Sequence, residues 1–235
     1  MKNIEGVVRR AINDYDMIQD GDSIAVGLSG GKDSIAALSV LSSMQKYLPC
    51  RFTLKAITVD MGFEGANFDA IARYCDKLGV EYITHKTSIA NVLFKTRNEK
   101  NPCSLCANLR RGALNKLAVE NGCKKVALGH HFDDAIETFF LSLFYEARLY
   151  CFSPVTYLDR MDLTVIRPLI YIEEKPIARF AKNKNLPVLH NPCPANGNTK
   201  REFIKNLFLS LEKENSNIRR MVFNAIKTGL LNKNV

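Results

Sequence analysis

Short apolar runs alternate with amphipathic stretches along most of this 235-residue chain. Apolar runs bounded by turn residues are typical of strands buried on both faces, and the stretches between them supply the helical crossovers that parallel strands need. The pattern therefore predicts an α/β fold, a parallel sheet flanked by helices. The predicted strands are 23–28, 52–60, 80–86 and 123–131, and the predicted helices are 33–47, 67–79 and 133–147.

The last third of the sequence follows a different pattern. Residues 148–172 show no clear period, and we expect them to be irregular. Phe203, Leu207 and Leu211 are four residues apart and predict one apolar helix face. The helices predicted in this part of the chain are 174–187, 199–215 and 218–230. The chain has no repeat, low-complexity segment or linker, so we expect one domain that ends in a helical tail.

The formal net charge of +9 is concentrated in two segments. Residues 95–125 hold eight basic and two acidic side chains, and residues 197–235 hold eight basic and three acidic ones. Clustered positive charge favours a polyanionic partner such as nucleic acid. The alternative is that these segments are ordinary lysine-rich helix faces in contact with water.

Targeting features predict a cytoplasmic protein that does not enter a membrane. The N-terminus "MKNIEGVVRR" lacks the apolar core of a signal peptide, and no apolar run reaches 18 residues. The seven cysteines are an odd number in a reducing compartment, so a disulfide framework is not expected.

A glycine turn, "SGGKDS" at 29–34, follows the first predicted strand directly and leads into a helix. A P-loop would need glycine at position 26 and Ser or Thr at 33, where this chain has Val26 and Asp33. A dinucleotide fingerprint also fails, because Ser29 replaces its second glycine. Close-approaching glycine backbone, hydroxyl donors and a helix N-terminus still predict an anion site. The alternative is a plain strand–turn–helix connection. The candidate residues are Ser29, Gly30, Gly31, Lys32, Asp33 and Ser34.

Cys103 and Cys106 are three residues apart at a predicted helix N-terminus. Two thiolates at that spacing can bind one metal centre, and the helix end with Arg110 and Arg111 nearby is expected to lower the thiol pKa. Cys193 is the candidate third ligand. A structural zinc site completed by His190, a redox pair or no metal at all remain alternatives.

The order of motifs resembles the tRNA 2-thiocytidine synthetase family of the PP-loop (N-type) ATP pyrophosphatase superfamily. The motifs are "SGGKDS", "CSLCANLRRG", "GHHFDDAIET", "RPL" at 167–169 and "NPCPAN". The resemblance covers nearly the whole chain and implies a Rossmann-like PP-loop domain over residues 1–198, with an inserted CxxC segment and C-terminal helices at 199–235. Family members often carry further cysteines beside the third ligand, where this chain has Ala195 and Gly197.

The resemblance also implies a set of ligands. ATP would bind on the 29–34 loop with Mg²⁺, and a [4Fe–4S] cluster would be held by Cys103, Cys106 and Cys193. The remaining residues implied in nucleotide binding are Leu28, Asp60, Met61, Gly129 and His130.

The implied reaction is adenylation of the C2 oxygen of an anticodon-loop cytidine and its replacement by sulfur through the cluster. The first candidate for the catalytic base is Asp133 and the second is Asp134, and Arg110 and Lys32 are further catalytic candidates. The structural alternative is that Asp134 and Glu137 form a plain capping box. The implied partners are tRNA, a sulfur donor such as a cysteine desulfurase and a second copy of the chain. The alternatives are a 2-thiouridine synthetase, a lysidine-type ligase, a PP-loop enzyme of small metabolites and a nucleotide sensor.

Overall fold

A computed structural model describes residues 4–96, 102–190, 192–193 and 200–231. The strands are β1 (Asp22–Gly27), β2 (Phe52–Asp60), β3 (Glu81–Lys86), β4 (Lys125–Ala127), β5 (Val155–Leu158) and β6 (Leu163–Ile166). The helices are α1 (Ile4–Asp14), α2 (Lys32–Met44), α3 (Asp69–Leu78), α4 (Ile89–Asn91), α5 (Pro102–Glu120), α6 (Phe132–Glu146), α7 (Glu174–Asn183), α8 (Lys200–Glu214) and α9 (Ile218–Ile226). Short π-helical segments, Val92–Thr96 and Lys227–Leu231, extend α4 and α9.

The six strands form one sheet in the order β3-β2-β1-β4-β6-β5. All neighbouring strands are parallel except β5, which pairs antiparallel with β6 at the edge. After β1 the chain crosses to β2, which is the neighbour of β1 on one side, whereas β4 is its neighbour on the other side. Open α/β sheets bind ligands at such a switch point, outside the carboxyl ends of the strands. This topology brings the segments after β1 and β4 together.

Both faces of the sheet are covered, which explains the continuous apolar strands. The larger core joins β1 and β2 to α1, α2, α6, α7 and the C-terminal helices. A smaller core on the opposite face packs Leu114, Leu117 and Ala118 of α5 against Ala25 and Ile57. The prediction of a parallel sheet flanked by helices is confirmed.

Residues 148–172 are not irregular as predicted, because they contain the β5–β6 hairpin. Each strand is only four residues long, and threonine and tyrosine occupy half of β5, so no apolar period is visible. The strand predicted over 123–131 is shorter than expected: β4 spans Lys125–Ala127.

The C-terminal helices are part of the main core. Ile204 and Phe208 are the buried residues of α8, whereas Phe203 is 55% exposed. The predicted apolar face of α8 is therefore wrong by one residue. The Phe223 ring of α9 stacks on Phe132 at a centroid distance of 4.3 Å. Within the described ranges, no helix is both long and apolar enough to cross a membrane.

Candidate functional site

A cavity of about 600 Å³ opens at the carboxyl ends of β1, β2 and β4. Its volume is in the range of small-ligand sites. Most of the predicted nucleotide residues line it, as do two of the predicted catalytic residues. The predicted residues in its wall are Leu28, Ser29, Gly31, Asp33, Ser34, Asp60, Met61, Arg110, Gly129, His130 and Asp134.

The glycine turn wraps around the hydroxyl of Ser34. This hydroxyl accepts a hydrogen bond from the Ser29 amide at 3.2 Å and donates one to the Gly31 carbonyl at 2.9 Å. Gly30 has φ +84°, a left-handed conformation that glycine adopts without strain. Gly31 is the N-cap of α2 and brings no side chain over the first-turn amides. The turn therefore presents backbone N–H groups and a helix N-terminus at the cavity.

Lys32 lies beside the cavity rather than in its wall. Its ammonium group pairs with Glu174 at 2.9 Å and with Asp33 at 3.2 Å. Burial lowers the pKa of Lys32, but the two carboxylates outweigh that effect and the pKa is raised. The side chain is thus a permanent cation, held by carboxylates next to the turn.

Gly129 lets the end of β4 approach the glycine turn. A Cβ at this position would lie 2.8 Å from the Asp33 carbonyl carbon and from the Ser34 nitrogen. Both neighbours are backbone atoms of α2, so neither can move aside as a side chain would. Any side chain at position 129 would push the turn away.

The alternative interpretation of Asp134 and Glu137 as a capping box is wrong, because the box pairs His131 with Asp134. The N-cap of α6 is His131, and its backbone N–H donates to the Asp134 carboxylate at 3.0 Å. Glu137 instead accepts a hydrogen bond from Arg201 of α8 at 2.8 Å. The Asp134 carboxylate also lies 3.5 Å from the imidazole of His131 and faces the cavity.

Asp133, the first candidate base, lies outside the cavity wall. One carboxylate oxygen accepts from the Glu174 amide at 2.7 Å, and the other pairs with Arg219 of α9 at 2.9 Å. Both side chains are largely buried. The catalytic role of Asp133 stays a prediction, and the geometry favours Asp134, because Asp133 is occupied in joining α6 to α7 and α9.

The other side of the cavity is formed by the end of β2. The Asp60 carboxylate accepts from the Gly62 amide at 2.8 Å, which fixes the turn after this strand. Met61 follows and contacts Cys106 of α5, with 3.5 Å between the two sulfur atoms. This contact places Cys106 next to the predicted nucleotide side of the cavity.

The three candidate thiols differ in exposure. Cys103 is exposed, whereas Cys106 and Cys193 are half-buried. Burial raises the pKa of Cys106, Arg110 lowers it, and the thiols of Cys193 and Cys103 raise it again. The expectation of a lowered pKa is wrong for Cys106, since burial and the other two sulfurs outweigh the arginine. Cys193, although 87 positions further along the chain, is thus among the groups that act on the pKa of Cys106.

Both metal alternatives use Cys103, Cys106 and Cys193, and the zinc site would add His190. Among the described residues, no three Cys, His, Asp or Glu side chains are close enough to share one ion. These side chains therefore form neither a cluster site nor a Cys₃His zinc site as they stand, and His190 lines the cavity. Three cysteine thiols are the donor type that a [4Fe–4S] cluster takes. Ala195 and Gly197 lie outside the described residues.

Sequence reasoning missed two contacts. The Leu189 amide donates to the Gly30 carbonyl at 2.9 Å, which joins the segment leading to Cys193 to the glycine turn. Arg167, noted only as part of "RPL", donates from Nε to Nδ1 of His130 at 3.3 Å. Both contacts join distant parts of the chain, so no local pattern could reveal them.

The fold and the cavity define an α/β protein with a glycine turn and a helix N-terminus in a cavity at the carboxyl ends of its parallel strands. Residues 2–211 match the PP-loop domain family. Among curated proteins, the tRNA-cytidine(32) 2-sulfurtransferase of Geobacter sulfurreducens is 40% identical over 228 residues, covering 96% of this chain and 89% of the relative. That of Dichelobacter nodosus is 43% identical over 216 residues, covering 91% and 80%. The chain belongs to the PP-loop family and, within it, to the family of these tRNA sulfurtransferases.

Solved structures agree with this assignment. The U34-tRNA thiolase NcsA from Methanococcus maripaludis, determined with its [4Fe–4S] cluster, superposes with a TM-score of 0.76 at 26% identity, covering 94% of this chain and 75% of that one. The NH₃-dependent NAD synthetase from Campylobacter jejuni has a TM-score of 0.54 at 16% identity and covers 97% and 93%. The second comparison supports the fold alone.

Proposed function

We propose that this protein thiolates a cytidine in the anticodon loop of tRNA, at position 32 as in the names of its relatives. ATP adenylates the C2 oxygen, and sulfur then replaces the adenylated oxygen. One observation carries the proposal: the glycine turn and Met61 lie in the wall of one cavity, and the Met61–Cys106 and Gly30–Leu189 contacts join that wall to the two cysteine segments.

ATP fits the part of the cavity between β1 and β2. The amides of the glycine turn and the N-terminus of α2 would hold the phosphates that leave as pyrophosphate, with Lys32 adding positive charge next to them. The apolar wall from Leu28 and Met61 would contact the adenine. Adenylation matters chemically, because the C2 oxygen of cytosine is a poor leaving group and AMP is a good one.

Asp33 and Asp134 are the residues that would hold Mg²⁺ together with the phosphates. Magnesium is commonly bound by one or two carboxylates plus substrate phosphates. Oδ1 of Asp33 fits this role, since it is buried and accepts no hydrogen bond within the described part of the chain. A magnesium ion there would neutralise charge on the departing pyrophosphate.

Cys103, Cys106 and Cys193 would hold the [4Fe–4S] cluster. When bound, the cluster would carry sulfur, received as sulfide from a separate donor, to the activated C2 carbon, which releases AMP. The chain itself contributes the arrangement of the thiols. It also contributes the cation of Arg110, which acts on Cys106 and lines the cavity that the base must enter.

The rim of the cavity suits a single-stranded RNA loop. Arg110 and Arg111 both line it, and Tyr150, outside its wall, is 45% exposed. Exposed aromatic rings stack on unpaired bases, and arginines bind the phosphates. The target base must leave its stack to reach the cavity, which an anticodon loop permits at low cost. Cytoplasmic location, a desulfurase-type sulfur donor and a homodimer stay predictions.

The first test replaces a single thiol. Cys103→Ala should abolish 2-thiocytidine formation in a purified, anaerobically reconstituted assay, while ATP binding stays within about twofold of wild type. The matched control is Cys50→Ala, a half-buried cysteine near Ile18, which should retain thiolation. Full thiolation by Cys103→Ala would remove this thiol from the reaction.

A second candidate function is thiolation of a uridine. It is supported by the similarity to a U34-tRNA thiolase over 94% of the chain. The same assay separates the two functions, since the modified nucleoside is 2-thiocytidine in one case and 2-thiouridine in the other.

A further inference from the structure

Arg167 is a buried cation next to the cavity that has no carboxylate partner in the described part of the chain. It is 9% exposed and follows β6 directly. Its guanidinium donates to the Ser153 carbonyl, to the Thr156 hydroxyl at 3.1 Å and to Nδ1 of His130 at 3.3 Å. A buried arginine without a counter-ion is costly, so its contacts merit a functional explanation.

The contact with His130 determines where the imidazole carries its proton. A guanidinium can only donate hydrogen bonds, so Nδ1 of His130 must offer its lone pair. The adjacent positive charge also disfavours the doubly protonated ring. The remaining state is the neutral imidazole with its proton on Nε2.

The orientation of the ring is fixed as well. The imidazole of His130 stacks on Phe152 at 5.0 Å with an interplanar angle of 27°. The guanidinium of Arg167 lies over the same phenyl ring at 4.9 Å. His130 comes directly after Gly129, which contacts the glycine turn, and it lines the cavity.

We propose that Arg167 is a positioning residue that locks His130 in the Nε2–H tautomer, so that the imidazole presents a fixed hydrogen-bond donor to the cavity. The matching ligand group is an acceptor oxygen, either a phosphoryl oxygen of ATP or the carbonyl oxygen of the base. The tautomer lock is independent of the proposed function, whereas the choice between the two oxygens rests on it. In this arrangement His130 recognises an oxygen and does not act as a general base.

The charges that face His130 from the surrounding elements agree with a neutral ring. Burial lowers the pKa of His130 to about 4. Asp134 of α6 acts in the opposite direction, while Arg167, Arg201 of α8 and His131 lower the pKa further. The ring therefore stays neutral and able to donate throughout the physiological range.

The lock can be measured by long-range ¹⁵N–¹H correlation spectra of the four histidines in the full chain at pH 7, with His130 assigned through a His130→Gln variant. Wild type should show a protonated Nε2 and an unprotonated Nδ1 at His130. Arg167→Met should shift both nitrogens toward the mixed-tautomer values, and Arg167→Lys, which keeps a cationic donor, should restore part of the wild-type pattern. A protonated Nδ1 in wild type overturns the proposal and needs no variant that could fail to fold. An unchanged spectrum in Arg167→Met also overturns it.

The part of the proposal that concerns the ligand is tested with two probes, each added separately. They are a non-hydrolysable ATP analogue and unmodified tRNA with cytidine at position 32. The probe that shifts the His130 Nε2–H signal identifies the oxygen as one of ATP or one of the tRNA, and His130→Phe should weaken binding of that probe about 10-fold. The matched control is His85→Phe on the exposed edge strand β3, which should bind both probes normally. If neither probe shifts the signal, the donor role is wrong. Failure of thiolation would leave the tautomer result standing.

Discussion

Substituting Gly129 with alanine tests how the site is built, because one methyl group would disturb two segments at once. The new Cβ would lie 2.8 Å from the Asp33 carbonyl carbon and the Ser34 nitrogen, and 2.9 Å from the Asp33 oxygen. Ordinary van der Waals contact begins near 3.4 Å, so the start of α2 or the end of β4 must move by several tenths of an ångström. Overpacking of this kind costs about 1–3 kcal/mol.

The assays are thermal unfolding and ATP binding. At about 2–4 °C per kcal/mol for a chain of this size, the melting temperature of Gly129→Ala should fall by about 2–12 °C. ATP affinity should fall by about 10-fold or more, since the displaced turn carries the phosphate-binding amides.

Gly6→Ala is the matched control. Gly6 lies in α1, and a Cβ there would meet nothing within 4 Å. Alanine in a helix should be neutral or stabilise the protein by up to about 1 kcal/mol, with ATP binding unchanged. Wild-type stability and ATP affinity in Gly129→Ala would refute the reasoning.

Three further predictions follow from contacts around the site. Arg219→Met should lower the free energy of unfolding by about 3–5 kcal/mol in urea titrations, because it leaves the Asp133 carboxylate buried without its arginine partner. Adding Asp133→Asn should recover part of the loss. A loss with no recovery would contradict the pairing. Burial raises the pKa of Glu174, but hydrogen bonds from Lys205 and Lys32 outweigh it and hold the pKa at about 2. The resulting stabilisation is complete above the unfolded-state pKa near 4.5 and is lost as pH falls toward 2. The melting temperatures of wild type and Glu174→Gln should therefore differ at pH 7 and converge at low pH. A constant difference between the two melting temperatures would contradict this. In metal-free, reduced protein, Cys106 should react with iodoacetamide more slowly at pH 7.5 than free cysteine does, because burial raises its pKa; equal rates would contradict the shift.

The sheet could be predicted where burial on both faces left long apolar runs. β2 was predicted at its observed limits, Phe52–Asp60, and the left-handed Gly79 ends α3 as expected. The β5–β6 hairpin was missed because an edge hairpin of four-residue strands has one exposed side and too few residues to show a period. The phase of α8 was misjudged because Phe203 and Ile204 are adjacent and both apolar, and only packing against α6 decides which one is buried.

The site was predictable where the chemistry is local. The glycine turn can be recognised from its composition, and it lies in the wall of the cavity. Residues whose roles depend on distant partners could not be assigned: Arg219 is 86 positions from Asp133, and Arg167 is 37 from His130. The same limit applies to Asp133 and Asp134, since adjacent aspartates on one helix look equivalent until their partners are known.

The central claim is that this chain places sulfur on a tRNA cytidine. Its most direct test is mass analysis of nucleosides in tRNA from cells that lack the gene, compared with cells complemented by wild type and by Cys106→Ala. The account predicts that 2-thiocytidine, and no other modified nucleoside, disappears on deletion and returns only with the wild-type gene. Normal 2-thiocytidine in the deleted cells would contradict the account.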